Sequence, residues 1–234
     1  MERAALFWSG GKDAAFALYT VLQEQQYHVS LLVTTLNCTY ERISMHGIRE
    51  SLLDEQVASL GIPLLKMWVP DEPSNEAYEQ VLLNTYVQLR QSGISTIIFG
   101  DIFLADLRTY REQLLAKAGL KGYFPLWGQS TAALAGRFIA SGFRSITCCI
   151  STANLAKPFL GRIIDTDFVA SLPVGADACG ENGEFHSFCF VGPIFQRPIP
   201  FTTGAEQYVP LRISSSAGVT ETGFWYLDLI PDFV

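Results

Sequence analysis

The chain has 234 residues, of which 49% are hydrophobic and 17% charged, and a formal net charge of −7. That apolar fraction excludes a disordered chain and can fill the core of one large domain or two modest ones. The acidic balance argues against a general basic surface for nucleic acid or for an anionic membrane.

From Ala4 to Trp8 the residues are continuously apolar, as in a strand buried on both faces, and Ala14 to Leu22 follow a helical pattern. VSLLVTTL (29–36) reads as a second strand, after which Ile48, Leu52, Leu53, Val57 and Leu60 share one helical face. IPLLKMWV (62–69), a helix carrying Tyr78, Val81, Leu82, Thr85 and Leu89 on one side, and STIIFGD (95–101) continue the alternation. Leu107 to Ala118 predicts a helix with Asp106 as its N-cap. Gly119, Gly122 and Pro125 then mark a linker-like stretch, with a boundary near residue 120. Beyond it come a helix (129–141), a strand (144–151) and short aromatic strands broken by Gly and Pro. The expectation is an α/β protein: a parallel twisted sheet with helices on both faces (1–120), followed by a smaller α+β domain (121–234).

Five cysteines, Cys38, Cys148, Cys149, Cys179 and Cys189, include no C-x-x-C pair, and a chain this long needs no disulfide staples. Free thiols in a cytoplasmic protein are expected. Lys12 and Asp13 interrupt the apolar start, so no signal peptide is read there, and no run approaches the length of a membrane span.

The string SGGKD (9–13) falls at the junction of the first strand and the first helix. A turn leaving the carboxyl end of a parallel strand points its backbone N–H groups beyond the sheet edge, which makes an anion site. Gly10 and Gly11 allow close approach to a phosphate, Lys12 supplies a cation and Ser9 a hydroxyl. Asp13 suits either the helix dipole or a hydrated Mg2+. The Walker A pattern fails, because Leu6 stands at its first glycine and Asp13 at its hydroxyl position.

A second polar concentration is CGENGEFHSFCFVGPIF (179–195). Asn182-Gly183 is a turn signal, and the residues after it alternate as in a strand. Turn chemistry asks for neither Glu181 nor Glu184 beside His186. Acids and an imidazole on a tight turn can hold magnesium, orient an amine or take its proton. The spacing is wrong for zinc.

SGGKD resembles the PP-loop of the N-type ATP pyrophosphatases in the adenine-nucleotide alpha-hydrolase-like (HUP) superfamily. GENGEFH is similar to the GE-G-GE-[FY] signature of the diphthine-ammonia ligase (diphthamide synthase) branch. GDI (100–102), YRE (110–112), FPLW (124–127) and LGR (160–162) extend that resemblance along the chain. One departure is Ala14, where the PP-loop usually carries Ser or Thr. The resemblance implies an ATP-dependent carbon–nitrogen ligase using Mg2+: a substrate carboxylate is adenylated with release of pyrophosphate, and ammonia displaces AMP to leave an amide. In the named activity the carboxylate belongs to a modified histidine of a translation elongation factor.

The same resemblance implies roles for particular residues. Ser9, Gly10, Gly11, Lys12 and Asp13 would hold the nucleotide, joined by Gly100, Asn182 and Gly183. Lys12, Asp101, Glu181, Glu184 and His186 would be catalytic, and Asp13 would take the metal. No membrane or nucleic-acid partner is expected, and the oligomeric state stays open. Two alternatives stand beside this reading: a non-catalytic nucleotide-binding module, consistent with Ala14, or another PP-loop enzyme such as a tRNA-modifying one. The loop histidine His46 is expected to face solvent and His28 to be structural, while Arg108 and Arg111, with Tyr110, suit equally a contact to phosphate or acceptor and an exposed helix face.

Overall fold

The computed structural model describes residues 1–43, 46–70, 74–215 and 218–232. In chain order the first elements are β1 (Glu2–Phe7), α1 (Lys12–Glu24), β2 (Tyr27–Asn37), β3 (Arg42–Ile43), α2 (Glu50–Leu60) and β4 (Leu64–Val69). They continue with α3 (Asn75–Gln91), β5 (Thr96–Ile98), α4 (Ala105–Lys117) and β6 (Lys121–Tyr123). Then come α5 (Thr131–Ala140), β7 (Arg144–Ser151), a 3-10 turn (Lys157–Phe159), α6 (Thr166–Ser171), β8 (Phe185–Val191), β9 (Phe201–Ser215) and β10 (Gly218–Pro231).

The parallel strands lie in the order β4-β2-β1-β5-β6. Among the described residues only β3 breaks the direction of this sheet, pairing antiparallel with the carboxyl end of β2. Consecutive β1 residues Ala4, Ala5 and Leu6 are fully buried, because Leu6 meets the core of α1 and α2 while Ala5 meets that of α3 and α4. The sheet grows outward from β1 in both directions, so its topological switch lies between β1 and β5, where α/β sheets bind ligands at their carboxyl edge.

The second sheet is antiparallel, in the order β8-β7-β10-β9. Its Phe188, Cys189, Leu227 and Leu229 belong to the same apolar cluster as Leu6, Phe16 and Leu52, and Leu134 and Phe138 of α5 close over Phe16. One continuous core thus joins the two sheets through α1.

The expected α/β class and smaller α+β part are both present, with three local corrections. α4 begins at Ala105 behind Leu104, with no side-chain cap, so Asp106 lies in the first turn. Of the expected short aromatic strands β8 is one, but the rest form a single long antiparallel pair, β9–β10. Pro210 is tolerated there because β9 is an edge strand whose outer side needs no N–H. His28 is exposed. Four of the five cysteines are buried and all are unpaired.

Candidate functional site

The SGGKD segment turns sharply out of β1. Gly10 adopts φ +76°, and a Cβ there would also meet Gln56 Oε1 at 2.9 Å. Gly11 has an ordinary φ of −89°, yet it too must lack a side chain. A Cβ on it would stand 2.8 Å from His46 Cε1 and 3.0 Å from the Ser187 carbonyl. Gly100 has a third reason: a Cβ there would strike the Asp13 backbone at 2.9 Å, so the glycine lets the end of β5 abut the first turn of α1.

Lys12 opens α1 with its side chain buried and its Nζ donating to both Asp13 oxygens, at 2.7 and 2.8 Å. Burial pushes the ammonium down, but the charge of Asp13 and its hydrogen bonds to Lys12, with Glu181 farther off, outweigh it and the net shift is upward. Lys12 therefore stays a cation. Asp13 offers the site its one carboxylate at the loop, turned toward Lys12.

β8 lies along this loop. Cys189 donates its N–H to the Gly10 carbonyl at 2.9 Å, and the Lys12 N–H donates to Ser187 Oγ at 3.1 Å. The Gly11 N–H has a longer contact to Ser9 Oγ, at 3.3 Å. The expectation of free loop N–H groups is thus corrected: Ser187, next to His186 in the second motif, already occupies one of them.

His46 is not solvent-facing. Its ring lies 4.7 Å from that of His186, and its Nδ1 donates to the Ser187 carbonyl at 3.2 Å, which leaves Nε2 as a lone-pair acceptor. Burial lowers His46 to about 4 and His186 to about 3, so both rings are neutral at pH 7. His186 Nε2 is buried without a hydrogen-bond partner. Met45, beside His46, lies outside the described residues.

The two glutamates divide the turn between them. Glu184 is buried, accepting from the Asp177 N–H at 2.9 Å and from the Asn182 side-chain amide and N–H at 3.1 and 3.0 Å. Turn chemistry therefore does require this acid. Glu181 instead leaves its turn and accepts from the Ile102 N–H at 2.7 Å and, more weakly, the Phe103 N–H at 3.4 Å. Burial, aided by the Asp13 charge, raises it to about 7. Asn182 is exposed, and Gly183, at φ +83°, supplies the left-handed turn residue.

Asp101 ends next to β5, where it is held by Arg111 Nε at 2.6 Å, with Arg111 stacked over Phe99 at 4.4 Å. It caps no helix. Arg108 lies over Phe124 and Trp127 and pairs with Glu112.

The loop, the Glu181 carboxylate, the neutral histidine pair and the end of β5 thus converge at the switch point. Gln56, Ser187 and Arg111 are the structural partners that sequence reading missed or undervalued. Gln56 had a signal: it sits four residues after Leu52, a polar residue inside the apolar stripe of α2.

A family model for the diphthamide synthase N-terminal domain matches residues 1–122, and one for the C-terminal domain matches residues 130–210. The chain belongs to the diphthamide synthase family. Membership supports a diphthine-ammonia ligase-like function and the use of ATP. No curated protein matches the sequence. In this diphthamide synthase family member SGGKD falls in the first matched segment and GENGEFH in the second, and the site is where they touch.

The residues fit the substrates and cofactor that such a ligase uses. Lys12 and the loop present cationic and N–H character to an anion. Mg2+ commonly needs one or two carboxylates besides nucleotide phosphates and water, a demand Asp13 can meet. Among the described residues no group of three or more His, Cys, Asp or Glu is placed to hold a metal without such help. No described helix is long and apolar enough to cross a membrane.

Proposed function

We propose that the protein is an AMP-forming, ATP-dependent amide ligase that adenylates a substrate carboxylate and then transfers ammonia to it. The observation that carries this reading is the side-by-side hydrogen bonding of Gly10–Lys12 with Ser187–Cys189. It gives a nucleotide on the loop and an acceptor on the second motif one common wall. Residues 1–120 would then hold ATP and residues 121–234 the acceptor.

In this reading Ser9, Gly10 and Gly11 seat the phosphates, and Lys12 neutralises charge that builds on the departing pyrophosphate. Its ammonium must turn from Asp13 toward the phosphates as they arrive. Mg2+ held by Asp13 and the phosphates would supply further charge neutralisation. Arg111 engages Asp101, so Asp101 acts by fixing the end of β5 beside Gly100.

Ammonium becomes a nucleophile only after losing a proton. Glu181, raised to about 7, is matched to accept one near neutral pH. The neutral His186 and His46 rings contribute uncharged acceptors and do not repel an ammonium ion. Asn182 and Gly183 border this side, with Glu184 holding their turn in shape. The acceptor is a carboxylate, and family membership favours one on a modified histidine of a translation elongation factor.

The test is AMP and pyrophosphate release from ATP, Mg2+ and ammonium, with and without fractions of a host extract, for wild type and Lys12→Ala. Release that a fraction stimulates and Lys12→Ala abolishes supports the ligase. ATP binding without turnover in any fraction would instead identify a nucleotide-binding module.

A further inference from the structure

Gln56 lies on α2, outside both motifs, and is completely buried. Its Oε1 accepts from Trp8 Nε1 at 2.9 Å. Its Nε2 donates to the Gly10 carbonyl at 3.0 Å and to the Cys189 carbonyl at 2.7 Å. The indole N–H can only donate, which fixes the amide's orientation, and both amide N–H donors are then used. With the Cys189 N–H also bonded to the Gly10 carbonyl, one side chain ties the residue that follows β1, the loop and β8 together.

The position of this tie matters more than its strength. A peptide unit is planar and trans, so its C=O and its N–H point in opposite directions. Holding the Gly10 carbonyl toward Cys189 therefore aims the Gly11 N–H away from β8, on the side of Ser9 Oγ. Paired glycines offer little steric resistance to rotation of the peptide between them. A rotated unit would present a carbonyl oxygen, which repels phosphate, in place of an N–H.

We propose that Gln56 is a positioning residue for ATP, locking the Gly10–Gly11 peptide with its N–H toward the nucleotide while pinning β8 beside it. This rests on the ATP-dependent reading above.

The test uses the full chain as wild type, Gln56→Glu and Gln56→Met, with ATP titrated calorimetrically at pH 6 and pH 8 beside thermal melts. At pH 8 Gln56→Glu sets a carboxylate against two carbonyl oxygens, and ATP binds more weakly by on the order of tenfold or more. At pH 6 the loss relative to wild type shrinks, because a carboxyl so placed is protonated well above its ordinary range and donates again. Gln56→Met, of similar length but without donors, loses affinity equally at both pH values. It also supplies the affinity measurement if Gln56→Glu does not fold.

Variants that melt lower yet bind ATP like wild type at both pH values would show a purely structural amide and overturn the proposal. Wild type that binds no ATP overturns the functional reading and the positioning role with it. Wild type that binds ATP beside unimpaired variants overturns the positioning role alone.

Discussion

Glu181 reaches out of its own turn to accept the Ile102 N–H at 2.7 Å. One carboxylate from the second motif thereby organises the loop after β5, at the edge where the first motif also ends. Its setting makes its charge expensive: it is partly buried, with Asp13 nearby, and titrates at about 7 against an ordinary 4.5.

Glu181→Gln should therefore act on stability with a definite sign. The folded wild type binds more protons than the unfolded chain between pH 4.5 and about 7, so its stability falls as pH rises through that window. Gln keeps the acceptor for Ile102 without the charge. Chemical denaturation should find the variant more stable at pH 8, on the order of 1 kcal/mol after solvent screening, and no more stable than wild type at pH 4. AMP formation should fall on the order of 10²-fold and lose its rise with pH near 7.

Gly11→Ala should be harmful although its φ is ordinary, because the new methyl meets His46 and the Ser187 carbonyl. A loss of about 1–3 kcal/mol in urea unfolding is expected. Adding His46→Ala should return part of it, leaving the Ser187 clash, and a double-mutant cycle reads that coupling. Strict additivity would mean that the His46 contact is not what excludes a side chain here.

Glu184→Gln removes a buried acceptor and places an NH2 group against the donors from Asp177 and Asn182. The expected cost is about 1–3 kcal/mol. Hydrogen exchange should show loss of protection localised to the Asp177 and Asn182 amides, with AMP formation falling as the turn loosens. Unchanged protection would show that the turn keeps its shape without this acid.

Lys12→Met keeps the buried stem and removes the charge. Pyrophosphate release should drop on the order of 10²–10³-fold, while the unpaired Asp13 becomes easier to protonate. A drop confined to ATP affinity, with turnover at saturation intact, would place Lys12 in binding alone.

The sheet was legible in the sequence because its signals are local. A five-residue apolar run before a glycine pair, and strands alternating with helical stripes, leave few topologies open. The two motifs were legible for a similar reason, since SGGKD and GENGEFH each concentrate polar groups that turns do not normally need. Their contacts were not, because hydrogen bonds such as Lys12 to Ser187 or Glu181 to Ile102 join residues far apart in the chain. His46 shows the limit most clearly. Its own neighbours suggest a wet loop, and only packing against Gly11 and His186 brings it into the site. Glu184 shows the reverse, an acid whose chemistry looked catalytic and whose bonds are spent on its own backbone.

The core that runs through α1 from one sheet to the other makes the two halves poor candidates for exchange between proteins. A fragment ending at residue 122 would expose the Phe16 face that α5 and β8 normally cover. Its SGGKD loop would also lose the bonds with Ser187 and Cys189 that set its shape. Such a chain would gain this loop geometry only when the other half is present. Under the proposed function, swapping second halves to change the acceptor would therefore alter the nucleotide site as well, and selection on either substrate would act on both.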